Sequence, residues 1–242
     1  MAVAPEELVR FCQLLRALLC GHNEQRRESE RLYQETKQCD PDRLCRCLIT
    51  VLTSAPEDTL RQQSAVLLRQ CLKATRADFV WPLLPAETRE AIKSGLLTAM
   101  RGEQVRSTRH KVCDVVAVLA SHVLDSSTTP GGWSEVGPAL YELMEAQSSE
   151  HRESALHVVR EMMAVNPPVV QALVGGRIPS VLQACQADPS AYVRKERGAP
   201  LRGGAGAPAA GRVAGLPGAA RRALVVGRAE PRWRGSDHLI SS

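Results

Sequence analysis

One pattern constrains this chain more than any other. An arginine is followed three positions later by a small or β-branched residue, and six and seven positions later by two apolar residues. It occurs as Arg26/Ser29/Leu32-Tyr33, Arg61/Ser64/Leu67-Leu68, Arg109/Val112/Val115-Val116 and Arg152/Ala155/Val158-Val159, at intervals of 35, 48 and 43 residues. Offsets of three, six and seven share one face of an α-helix. Amphipathic helices produce single matches by chance, but four in succession, each just after a turn signal, read as a repeat. A pair of short helices cannot cover its own apolar stripe, so neighbouring pairs must stack to bury it.

The segments between the arginines fit that reading. Leu8, Phe11, Leu15, Leu18 and Leu19 share a face from about Pro5 to Cys20, Gly21 breaks the helix, and a charged segment runs from Asn23 to Gln38. Asp40-Pro41 opens the next helix, since Asp caps free amides and Pro suits the first turn. Ala55-Pro56 ends that helix and begins another, with Leu60, Ala65, Leu67, Leu68 and Leu72 turned inward. A connector at 75–85 holds Trp81-Pro82 and Pro85. Pairs follow at about Ala86–Met100 with Glu103–Leu124, and Trp133–Ala146 with Ser149–Ala164, separated by the polar loop Asp125–Gly132. Asn166-Pro167-Pro168 stops one helix, and a last pair begins near Val169 and continues after Asp188-Pro189. The expectation is all-α: a right-handed α-solenoid of about four to five HEAT-type helix pairs over residues 1–196, since units of this type repeat every ~40–47 residues.

A fifth arginine, Arg194, stands 42 residues after Arg152, but its small position is Arg197 and its apolar pair is Pro200-Leu201. A helix does not run through Gly198 and Pro200. From 197 to 242, Gly, Ala and Pro make up 23 of 46 residues. Such a segment cannot bury enough apolar surface to offset its ordering entropy, so residues 197–242 are expected to form a disordered tail. Two readings of the tail compete. It could bind RNA through its arginines, or it could reflect a change of reading frame near residue 196 and carry no function. The helix before it would lack a cap, and fraying is expected over 170–195.

Charge follows the same division. The net charge of +5 divides into +6 for residues 197–242 (eight Arg against Glu230 and Asp237) and −1 for residues 1–196. The helical part therefore gives no sign of nucleic-acid binding. Eight cysteines, at 12, 20, 39, 45, 47, 71, 113 and 185, include no C-x-x-C pair, and Cys45-x-Cys47 has no histidine at a metal-ligand interval. They read as reduced thiols acting as small hydrophobes, which favours a cytoplasmic or nuclear setting. Glu6 and Glu7 interrupt any signal-peptide core, and no apolar run reaches the ~18 residues of a membrane span. Phosphate-loop, nucleophile-elbow and zinc-protease motifs are absent, and His151 and His157 stand six apart on different helix faces. These features point away from an enzyme, and no cofactor is implied.

Particular strings carry a resemblance. Arg61 to Arg69 (RQQSAVLLR) is similar to the second-repeat helix of importin-β-type karyopherins. Leu84-Pro85, Ala91 to Ser94 with Leu96-Leu97, and Lys111 to Asp114 (KVCD) resemble the third repeat of the importin-five (importin beta-3) branch, and Arg152-Glu153 with Ala155 to His157 (ALH) its fourth. The likeness spans about residues 7–196, is sharpest over 61–160, and stops at the tail. It implies the N-terminal arch of a nuclear import receptor working between cytoplasm and nucleus. The partners it implies are the small GTPase Ran in its GTP state, nucleoporins and basic cargo proteins, with no nucleic acid or membrane. Full receptors of the family have about twenty such repeats, against four to five here, so a truncated product without transport activity is one alternative. A general HEAT scaffold in another assembly is the other. Carried over by matching positions, the resemblance offers Arg61, Arg69, Lys111, Asp114 and Glu153 as exposed protein-binding residues. The competing reading is that they tie one repeat to the next.

Overall fold

The computed structural model describes residues 3–73, 78–124, 132–174, 183 and 186–196. The tail at 197–242, with its two readings, lies outside the described residues, as do Cys185, most of the loop at 125–132 and much of the segment where fraying is expected. Among the described residues every regular element is helical. The helices are α1 (Pro5–Leu18), α2 (Asn23–Cys39), α3 (Pro41–Ser54), α4 (Asp58–Cys71), α5 (Ala86–Gly102), α6 (Arg106–Val123), α7 (Val136–Met144), α8 (Ser149–Val165), α9 (Pro167–Val174) and α10 (Ala191–Glu196), with a 3-10 turn at Trp81–Leu83.

Local chemistry sets several boundaries. Asp40 accepts a hydrogen bond from the Arg43 amide at 3.0 Å, and Pro41 follows at the first helical position. Such a cap contributes about 1 kcal/mol. Pro5 likewise stands in the first turn of α1, although Ala4 before it offers no side-chain cap. Pro167 and Pro168 lie inside α9 rather than before it, because the first turn of a helix has no use for their missing amides. Trp133 stands outside α7, which begins only at Val136, yet is 1% exposed.

The helices stack in two rows. α3 packs on α5, while α4, α6, α8 and α10 form a consecutive series, each against the next. Between the rows runs one core containing Leu44, Leu48, Leu52, Leu60, Leu68, Ile92, Leu96, Val112, Val116 and Val158, all at 0–1% exposure. Burying each such side chain contributes about 1.5–3 kcal/mol. Gly95 lets α5 come close to α3: a Cβ there would stand 2.8 Å from Ile49 Cγ1.

The first pair departs from this plan. α2 packs mainly on α1 and α3 and touches α4 through Tyr33 Oη, 3.4 Å from Cys71 Sγ. Accordingly Arg26 is exposed and bonds only within its own helix, to Asn23 and Glu30. Tyr33 is buried but Leu32 is 41% exposed. The repeat read from the sequence thus holds from Arg61 onward, and the short 35-residue interval marks where it fails. In the other three instances the small residue and both apolar residues are buried.

Candidate functional site

The series α4, α6, α8 and α10 carries most of the charged side chains singled out by the sequence. Its arginines form a ladder. Arg61 Nη1 donates to the carbonyls of Ala55 and Pro56, both at 2.9 Å, while its Nε reaches Glu103 in the next turn at 2.7 Å. Arg152 repeats the arrangement on Ala146 and Gln147 and extends to Asp188 at 2.7 Å. Arg194 does the same with the carbonyls of Asp188 and Pro189. Each arginine thus takes the carbonyls six and five positions before it, and Arg61 and Arg152 also take a carboxylate from the following turn. Arg109 binds Glu103 and Gln104 in this way, but position 146 in the turn ahead is alanine. Glu150 and Glu153 of α8 supply the charge instead, each at 3.6 Å.

That substitution explains the placing of Glu153. It is 2% exposed, not an exposed position as its sequence match suggested, because Arg106, Arg109 and His110 enclose its carboxylate. Asp114 is largely covered as well, with Arg69 Nη1 at 3.6 Å, Lys111 Nζ at 3.8 Å and His157 Nε2 at 2.9 Å. Arg61 is mostly buried by its ladder contacts. Arg69 and Lys111 keep their side chains 42% exposed, so of the five positions these two present the most charge to solvent. Arg69, Lys111 and Asp114 come together across α4 and α6, whereas Arg61 and Glu153 belong to ladder contacts elsewhere in the row.

A second polar chain runs across the row. From Asp114 on α6 it passes to His157 on α8, whose Nδ1 faces both Glu196 Oε2 of α10 at 3.4 Å and Arg160 Nη2 at 3.2 Å. Arg160 also binds Glu196 and Glu161. The His110 ring packs on that of His157 with centroids 4.5 Å apart. Burial pulls the His157 pKa down, but the hydrogen bonds to Asp114 and Glu196 outweigh it and raise it to about 9. His110 moves down, through burial and the neighbouring His157 charge. Burial pushes Asp114 and Glu196 up, yet their bonds to His157 leave both below the usual carboxylate range. Sequence reasoning missed His110, Arg160 and Glu196 and took His157 as an isolated histidine. The only available signal was spacing: His157 and Asp114 are 43 residues apart, one repeat, and so are adjacent on successive helices.

Among the described residues the thiols are free: Cys45, Cys47, Cys71 and Cys113 are buried, Cys12 and Cys20 half-buried, and Cys39 exposed. No described helix is long and apolar enough to cross a membrane.

Comparison with known proteins gives these observations a context. Residues 104–196 match the family model "IPO5-like, TPR repeats". A protein described as "Probable importin-5 homolog" of Dictyostelium discoideum is 27% identical over 146 residues, which cover 60% of this chain and 13% of that protein. The crystal structure of Kap121p bound to RanGTP superposes with a TM-score of 0.61 at 25% identity, over 79% of this chain and 17% of Kap121p. That of Kap121p bound to Ste12p gives 0.63 at 25% identity, over 79% and 18%. The chain therefore spans less than a fifth of the length of these proteins. The fold is that of the Kap121p HEAT-repeat solenoids, and the matched repeat model and the importin-5 relative add a similarity in sequence to importin-5-type proteins over part of the chain.

Proposed function

We propose that this chain is a protein-binding HEAT-repeat arch of the nuclear transport receptor type, and that its row of second helices meets the small GTPase Ran in its GTP state. The observation that carries the reading is the half-exposed pair Arg69 and Lys111, held around Asp114 on adjacent helices of that row. Paired charges fixed in position but still open to solvent suit a transient, electrostatically steered contact. The likeness to Kap121p, which has been crystallised with RanGTP, supports the same choice of partner. Arg61 and Glu153 act in this reading by holding the row together, and Asp114 by fixing Arg69 and Lys111. Nucleoporins and basic cargo belong to the same proposal through the family resemblance, as does a place in cytoplasm and nucleus. The chemistry is recognition and not catalysis.

The test is capture of the full 242-residue chain on immobilised Ran loaded with GTP or with GDP. Preferential capture on the GTP form is expected. Equal capture on both forms, or none on either at micromolar protein, overturns the reading.

A further inference from the structure

The structure assigns a binding site for a zinc-class divalent cation to His110, His157 and Glu196, at the junction of α6, α8 and α10. One ligand atom from each lies within 4.8 Å of the others. His157 Nδ1 and Glu196 Oε2 are 3.4 Å apart. Ligands at about 2.0–2.1 Å from a tetrahedral zinc stand about 3.3–3.4 Å from one another, so this edge of the site is already set. The other ring nitrogen of His157, Nε2, faces Asp114 Oδ1 at 2.9 Å. A carboxylate behind a histidine is the arrangement that orients the ring of a metal ligand and raises its basicity.

A cation already sits beside this edge. The Arg160 guanidinium contacts both His157 Nδ1 and Glu196 Oε2. Its side chain is 24% exposed and also pairs with Glu161 at 2.8 Å, so it can turn towards solvent without losing every partner. Metal entry then exchanges the Arg160 contact, and any proton on His157 Nδ1, for coordinate bonds. His110 completes the set from above. Its Nε2 is sealed from solvent and has no aligned hydrogen-bond partner, though Glu153 is 3.2 Å away. Because its ring lies over that of His157 at a 33° tilt, both ring planes cannot contain one ion as they stand. His110 is the ligand that turns on loading, and water takes the fourth position, as in three-ligand zinc sites.

The experiment uses the chelator-stripped full chain at pH 8, titrated with Zn2+ against a chromophoric chelator and with Co2+ for its visible spectrum. One equivalent with the bands of four-coordinate nitrogen and oxygen ligation is expected. Glu196→Gln should abolish this binding, and Asp114→Asn should weaken it by about 10- to 100-fold. Arg160→Ala should tighten it, a gain that a misfolded variant cannot imitate. Equal affinity in the wild type, Glu196→Gln and Arg160→Ala overturns the assignment. So does a Co2+ spectrum dominated by sulfur charge transfer, which would put the ion on the cysteines.

Discussion

Arg61 Nε lies 2.7 Å from Glu103 Oε2, linking the turn before α4 to the turn before α6 across 42 residues of sequence. The same guanidinium closes its own turn through the carbonyls of Ala55 and Pro56. One side chain thereby fixes both the shape of a repeat and its distance from the next.

Arg61→Met removes all of these bonds and leaves a mostly buried carboxylate unpaired, which should cost about 2–3 kcal/mol of unfolding free energy. Arg26→Met, which loses only contacts within one exposed helix, should change stability by less than about 0.5 kcal/mol. Urea denaturation of the two variants distinguishes them, and equal effects would remove Arg61 from its ladder role.

Acid should weaken the ladder. Burial pushes the Glu103 carboxyl up, but the Arg61 hydrogen bond and the Val105 amide outweigh it, leaving its pKa below the ordinary value. Arg152 lowers Asp188 likewise. A carboxylate with a depressed folded pKa contributes stability that is full above its unfolded value and is lost as pH falls through the folded one. Urea midpoints should therefore fall below about pH 4.5, and Glu103→Gln should flatten the slope there. An unchanged slope in that variant would contradict the assignment.

Thiol reactivity should follow burial. Among the described cysteines, alkylation of the native chain should reach Cys39 first and Cys12 and Cys20 next. Cys113 should react only on unfolding, since burial seals its thiol and pushes its pKa up to about 12. Mass spectrometry of timed samples reads the order, and early labelling of Cys113 would show that α6 does not pack as described.

Charge reversal separates binding from architecture. Arg69→Glu and Lys111→Glu should each lower capture on Ran-GTP by about tenfold, or 1.4 kcal/mol, at a temperature well below melting, although each also lowers the melting temperature by placing a like charge beside Asp114. Glu153→Gln should lower the melting temperature, because it breaks contacts with Arg106 and Arg109 inside the row. Unchanged capture by both reversals would move the interface elsewhere.

Much of the fold was legible because helix periodicity and turn chemistry are local. Asp40-Pro41, Ala55-Pro56 and the Arg61, Arg109 and Arg152 repeats each announce their structure within a few residues. The candidate site was less legible. Arg61, Lys111 and Glu153 are all charged residues at helical spacing, and nothing nearby in sequence says that Glu153 is enclosed while Lys111 faces solvent. That distinction depends on position 146, an alanine that leaves Arg109 without a carboxylate in the next turn. Only the one-repeat spacing of His157 and Asp114 hinted at their contact, and nothing local in the sequence joined Glu196 to them, since each comes from a different helix.

What the sequence by itself determined is the repeating unit: where helices begin and end, which stripe turns inward, and that successive pairs must cover one another. These follow from backbone capping and apolar periodicity, which act over a few residues. Tertiary structure decided which charges are consumed between repeats and which remain outside, and it left Arg26 out of the ladder, bonded only within α2. Those outcomes depend on distances between side chains some 40 residues apart, which are fixed only when one helix pair comes to rest on the next.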